Sequence, residues 1–266
     1  MKSIFICIMI FAFATVNAQT KMYINKTSGG TDSIELHMIK SITFKIAPVI
    51  PTDGLIVWYP FNGNANDSTI NGNHADSVKN VTLVSDRFGV SGKAYSFNGS
   101  NSYLNVPLSN SLKIHNDITV CVWIKSNVKL INKAIVEKYY GTQSDHGWLI
   151  ETNVQGNILF EGRDGRGGAT TITSLVLFPS DDKWHLVVGQ RMGNIWRVFM
   201  DGKLESSMDI GGAAGSIESN GSLRIGASNN NGTISQYFNG SLDDIRIYNR
   251  ALTENEILVL FNETIY

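Results

Sequence analysis

From Gly54 onward, short apolar runs alternate with clusters of Gly, Asn and Asp. The runs "LIVWYPF", "VTLVS", "AYSFN", "SYLNV", "ITVCVWIKS", "AIVEKY", "WLIET", "NILFEG", "WHLVVGQR", "WRVFMDG", "SLRIGAS" and "LDDIRIYN" have strand length and strand composition. "ITVCVWI" is apolar on both faces, the pattern of a central strand covered on both sides. Asp201-Gly202 stands between two runs and signals a hairpin. So many short strands at near-regular spacing predict a β-sandwich or barrel. The span of ~210 residues fits one large sandwich.

One helix is predicted, near the end. In "ALTENEILVLFNE", Thr253 is placed as N-cap and Glu256 follows three residues on, a capping box. Ile257, Leu260 and Phe261 share one face at helical spacing, so the helix should lie against the sandwich.

The first 53 residues read differently. Lys2, the apolar "IFICIMIFAFA" and the small residues of "VNA" have the layout of a secretory signal cut after Ala18. Residues 19–47 form a short β-rich segment, with Ser28-Gly29-Gly30 as a turn and "SITFKI" alternating apolar and polar positions. Residues 48–53, from "APVIPTDG", read as a linker. The sandwich domain is then 54–266. Cys7 lies in the signal, which leaves Cys121 alone in the mature chain, so no internal disulfide forms. No later segment is apolar for long enough to span a bilayer. The expectation is an exported protein: secreted, periplasmic or on the cell surface.

Charge narrows the partners. Net charge is −1, 17% of residues are charged, and no basic stripe is present. Nucleic acid is therefore not an expected partner.

Three stretches carry candidate chemistry. "NANDSTINGNHAD", residues 64–76, is either a run of turns or a loop that gathers oxygens around a metal ion. "EKYYGTQSDHGW" offers Tyr139, Tyr140, Asp145, His146 and Trp148, and the nearby "FEGRDGRGG" offers Arg163 and Asp164. Aromatics beside polar groups suit the apolar face and hydroxyls of a sugar. The competing reading makes these aromatics core and the loop merely solvated. Glu151 and Glu161 flank "TNVQGN". A three-residue turn at Gln155–Asn157 sets them face to face, whereas a two-residue turn at Gln155-Gly156 sends them to opposite faces. Neither a nucleophile elbow nor a phosphate-binding glycine loop is present.

"GLIVWYPFNGNANDSTINGNHAD", "DDKWHLVVGQRMGNIWRVFMDGKLESS" and "FNGSLDDIRIYNRALTENEI" occur in an order that resembles the laminin-G-like, concanavalin A-like lectin/glucanase family of bacterial surface and secreted proteins. The resemblance implies an all-β jelly roll of two antiparallel sheets with one short C-terminal helix. It also implies a structural calcium ion, with carboxylates from Asp67 and Asp243 and backbone oxygens from Asn71 and His74. Ile70 and Ala75 stand where the family has glycines. The expected function is non-catalytic recognition of a carbohydrate or a cell-surface protein. A diverged glycoside hydrolase and a structural or adhesion spacer are the alternatives, since this fold hosts all three.

Overall fold

The computed structural model describes residues 21–25, 29–35, 49–139, 146–165, 168–212 and 215–264. The segment expected to be a signal, with Cys7, and "SITFKI" lie outside the described residues. The chain divides into two compact units, Met1–Pro48 and Val49–Tyr266. In the first, Lys21–Asn25 and Thr31–Glu35 pair antiparallel. Gly29 and Gly30 between them both take positive φ, which favours glycine.

The second unit is a sandwich. One sheet has seven strands, in the order Ala169–Leu177, Asn157–Arg163, Gly147–Thr152, Lys133–Lys138, Leu223–Ile225, Tyr103–Val106 and Ser77–Lys79. The other runs Lys203–Asp209, Ile195–Met200, Trp184–Met192, Ile118–Lys125, Asn239–Tyr248, Ala94–Asn98 and Thr82–Val84. Leu55–Tyr59 joins it as an eighth strand against Asn239–Tyr248. Every pairing among the described residues is antiparallel. Ala169–Leu177 escapes the sequence pattern, because Leu175, Val176 and Leu177 at its end are exposed on an edge and do not alternate.

Alternation fills the space between the sheets. Val120, Val122 and Ile124 of the central strand point inward to meet Ile150, Phe160 and Ile225. The residues between them, Cys121 and Trp123, point the other way. That outer face is apolar as well, because the Glu254–Phe261 helix covers it with Ile257, Leu260 and Phe261. Thr253 caps the helix and forms the capping box with Glu256. Within the segment expected as a linker, Ile50 and Pro51 pack on the sandwich. Pro51 is buried, its carbonyl accepts from the Tyr248 hydroxyl at 3.1 Å, and Ile50 packs beside the helix cluster.

Two aromatic rings tie the sheets together through two glycines. Trp196 of the eight-stranded sheet lies on Gly162 of the seven-stranded sheet, where an added Cβ would meet the indole at 1.9 Å. Phe160 of the seven-stranded sheet lies on Gly189 of the other, where an added Cβ would meet the ring at 2.5 Å. The two rings touch, with centroids 5.2 Å apart. Gly162→Ala is therefore expected to cost about 1–3 kcal/mol through overpacking. In a thermal melt this lowers the midpoint by several degrees; an unchanged midpoint would show that the indole has room to move.

Candidate functional site

The polar loop after Leu55–Tyr59 is organised around one carboxylate. Asp67 Oδ1 accepts from the backbone N–H groups of Trp58 and Thr69, each at 2.9 Å. Its Oδ2 accepts from the Thr69 hydroxyl at 2.8 Å and from the Asn73 N–H at 2.9 Å. The Asp67 N–H donates to His74 Nδ1 at 3.0 Å. The side-chain amides of Asn71 and Asn73 donate to the Ile56 carbonyl at 3.1 and 3.0 Å. Asn and Asp here cap their own turns.

This arrangement does not fit a calcium ion, which needs several oxygens free to converge on one point. Both oxygens of Asp67 are already taken by N–H and O–H donors. Asp243 belongs to a different cluster, where its carboxylate accepts from the Arg87 N–H and Nη1, both at 3.4 Å. Asp67, Asn71, His74 and Asp243, expected as one set, divide between a capped loop and an ion-pair network. Among the described residues, no group of three or more His, Cys, Asp or Glu side chains is placed to hold a metal.

The ion-pair network sits at a bulge. Asn239–Tyr248 shifts register against Ile118–Lys125 between Asp243 and Arg246. Asp244 takes φ 45°, a left-handed value that Asp tolerates better than most residues. Arg87 reaches Asp244 at 2.9 Å and Glu263 at 2.7 Å, while Arg246 reaches each of them at 3.0 Å. The Trp58 indole N–H also donates to Asp244. Burial, and then the charge of Asp244, push the Asp243 carboxyl up to about 7.

The candidate binding residues separate on the seven-stranded sheet. Trp148 is corrected to core: it stands opposite Lys138 and alternates inward with Ile150, so it lies between the sheets. Tyr139 and Arg163 are brought together, with the guanidinium 4.9 Å from the ring centroid. Arg163 Nε also donates to Glu161 at 3.0 Å. Asp164 is buried and accepts from the Gly215 N–H at 3.1 Å. His146 is half-buried against Gly165, where an added Cβ would meet its Nε2 at 2.5 Å. Tyr140 and Asp145 lie outside the described residues.

The outer face of this sheet carries a polar row that periodicity did not single out. Thr171, Glu161, Leu149, Glu137, Arg224, Asn105 and Ser77 stand opposite one another in turn across all seven strands. Glu151 lies one row away on the same face. The hairpin loop is neither of the two expected turns. Thr152 pairs with Ile158 and Glu151 with Leu159, so Glu151 and Glu161 share a face as diagonal neighbours.

Burial governs the charges in this row. The Asn229 N–H donates to Glu137, and Glu137 is 1% exposed. Burial pushes its carboxyl up to about 7, against the lowering effect of the Asn229 and Ser228 hydrogen bonds and of Arg224. Glu151 also rises to about 7, through burial and then the charges of Glu161 and Glu137. Arg224 is 7% exposed and donates through Nη2 to Asn105 Oδ1 at 3.1 Å. Its Nε and Nη1 are buried and have no hydrogen-bond partner among the described residues. The Tyr103 ring lies 4.8 Å from its guanidinium.

Known proteins of this architecture place the chain. Residues 98–258 match the concanavalin A-like lectin/glucanases superfamily, and the chain belongs to that family. The sandwich is its jelly roll. No curated protein matches the chain by sequence. Among solved structures, the binding domain of Paraclostridial Mosquitocidal Protein 1 is 20% identical, with a TM-score of 0.62 over 79% of this chain and 52% of that one. The botulinum neurotoxin serotype D binding domain is 18% identical, with a TM-score of 0.59 over 79% and 50%. Domain 4 of AbnA, a GH43 extracellular arabinanase from Geobacillus stearothermophilus solved with arabinotriose, is 21% identical, with a TM-score of 0.57 over 78% and 98%. The chain spans about half the length of the toxin binding domains it matches. At these identities the likeness establishes a shared fold.

Two outcomes follow for stability. Asp67→Ala leaves several donors in the loop without an acceptor and is expected to cost about 1–3 kcal/mol. Because the loop is capped from within, its melting midpoint should be the same in calcium and in a chelator; a calcium-dependent difference in the wild type that disappears in the variant would restore the metal.

The second outcome concerns pH. Glu137, Glu151 and Asp243 hold their protons more tightly folded than unfolded, so stability falls as pH climbs from their unfolded values towards about 7. His185 is raised, chiefly by its hydrogen bond to Asp201, so its contribution is full below its unfolded value and is lost as pH rises through the folded one. All four act in one direction, and the melting midpoint should drop between pH 5 and 8. Glu137→Gln should flatten that drop; an identical slope would show that Glu137 is not part of it.

Proposed function

We propose that this protein is a non-catalytic carbohydrate-recognition module of an exported protein, and that the outer face of the seven-stranded sheet is its binding surface. The observation that carries this reading is Arg224. Two of its N–H-bearing atoms are buried without acceptors among the described residues, beside Glu137 and the Asn105 amide and against the Tyr103 ring. A buried guanidinium without full hydrogen bonding is costly unless a ligand or water supplies acceptors. Sugar hydroxyls supply both acceptors and donors, and carboxyls that titrate near neutrality can serve either role. Tyr103 and Tyr139, at separate points of the same surface, offer rings for the apolar side of a sugar. The arabinanase domain solved with arabinotriose lends support from the same fold. The signal-like first 18 residues support export.

Calorimetric titration with arabinotriose and a panel of neutral oligosaccharides tests the surface. Arg224→Met and Tyr103→Ala are each expected to weaken binding about tenfold or more, the loss of a charge-assisted hydrogen bond or a stacking ring. Undiminished affinity in both folded variants would remove this surface from the reading.

A second reading, a diverged glycoside hydrolase, draws on the same carboxyls. Glycosidases use an acid and a nucleophile or base flanking one bond. Against it, Glu161 is held by Arg163 and by the Thr171 hydroxyl at 3.1 Å, which keeps it on structural duty. Hydrolysis of any tested glycan that is abolished in Glu151→Gln or Glu161→Gln would favour the enzyme.

A further inference from the structure

The eight-stranded sheet has a cleft of its own, on the face away from the polar row. It is an open depression of about 450 Å³ beside the C-terminal helix. The floor is Trp123, stacked on Phe261 of the helix with ring centroids 5.9 Å apart and planes 15° from parallel. Phe88, 37% exposed, and half-buried Trp184 line the opening. Arg87 lies across Phe88 at 4.2 Å and Trp123 at 5.0 Å. Its side chain is 7% exposed, and its Nε is buried with no hydrogen-bond partner among the described residues. Glu263 and Lys183 complete the lining.

We propose that this cleft is a second ligand site, and that it takes an uncharged sugar ring. Three properties select that class. Phe88 and Trp184 present exposed aromatic surface at the opening, which suits a ring with a C–H face. The lining carries polar groups of both kinds: the Glu263 carboxylate, which also accepts from Arg87 and Arg246, and the donors of Arg87 and Lys183; hydroxyls match both. Charge in and behind the cleft is paired: Arg87 and Arg246 face Asp243, Asp244 and Glu263, and Lys183 lies 3.7 Å from Asp181. Paired charges leave little field to attract an ion, so the selectivity rests on shape and hydrogen bonding. The volume falls within the range of small-ligand sites.

The cleft does not depend on the first surface. The two lie on opposite outer faces of the sandwich, so one chain could hold two points of a branched or neighbouring glycan. Engagement at both gains from effective concentration, and an array of weak sites then binds a polymer more tightly than a monomer.

The test uses the intrinsic fluorescence of the full chain, titrated with arabinotriose, maltotriose and mannotriose at millimolar concentrations. Trp123 and Trp184 border the cleft, so at least one sugar is expected to change the emission in a saturable way. Trp184→Ala and Phe88→Ala should each weaken that binding about fivefold to tenfold. Phe88 is an exposed side chain, so its variant keeps the measurement meaningful if Trp184→Ala folds poorly. Arg224→Met should leave the emission change intact, which separates failure of this cleft from failure of the first surface. No saturable change with any of the three sugars, or a change that survives both cleft variants undiminished, would overturn the proposal. So would a response to N-acetyl-phenylalaninamide in place of the sugars, since that would make the cleft a seat for an aromatic peptide side chain.

Discussion

Everything on this molecule's surfaces rests on how closely its two sheets approach. Trp196 and Phe160 each need a glycine opposite them, and the two glycines sit in opposite sheets. The contact is reciprocal: each sheet supplies one large ring and one bare backbone position. The core holds other aromatics, among them Phe61, Phe97 and Phe238, but the reciprocal ring-on-glycine pair admits little substitution in shape. Gly162 stands next to Glu161 along its strand, so the packing that seats the indole also sets the height of the outward carboxylate.

The same logic explains why both outer faces carry structure instead of plain solvated residues. On the seven-stranded sheet, the Ser228–Asn230 and Thr233–Ser235 hairpin encloses Glu137 through Asn229. On the eight-stranded sheet, the helix covers Cys121 and Trp123. Each covering element is partial, and each leaves a polar or aromatic margin beside it. Those margins are where charged side chains are held away from water with incomplete partners. Arg224 and Arg87 are examples, one on each face. In this chain, half-covering each sheet leaves a margin of buried charge on both outer faces.

The architecture was legible in the sequence because its signals are local. Period-two alternation, the Asp201-Gly202 turn and the Thr253/Glu256 box each concern neighbours along the chain, and the Ile118–Lys125 run announced a strand covered on both sides. The site was not legible to the same degree. Arg224 and Glu137 stand opposite each other because of register between strands far apart in sequence, and no spacing within one segment encodes that. Trp148 shows the reverse problem: an aromatic in a polar-looking segment went inward because its strand's phase required it. Asp67 and Asp243 looked like partners through family likeness, but the bulge hands Asp243 to Arg87, while Asp67 is consumed by its own loop.

The long strand Asn239–Tyr248 is the hub of the eight-stranded sheet, pairing on one side with Ile118–Lys125 and on the other with two separate strands. One of those partners, Leu55–Tyr59, is made very early; Trp58 and Asp244 meet across 186 positions of chain. During synthesis the centre of this sheet therefore stays vacant until almost the whole domain has emerged. Such non-local closure is slow to nucleate. The first strand of the domain therefore waits for the last before the sheet can close around it.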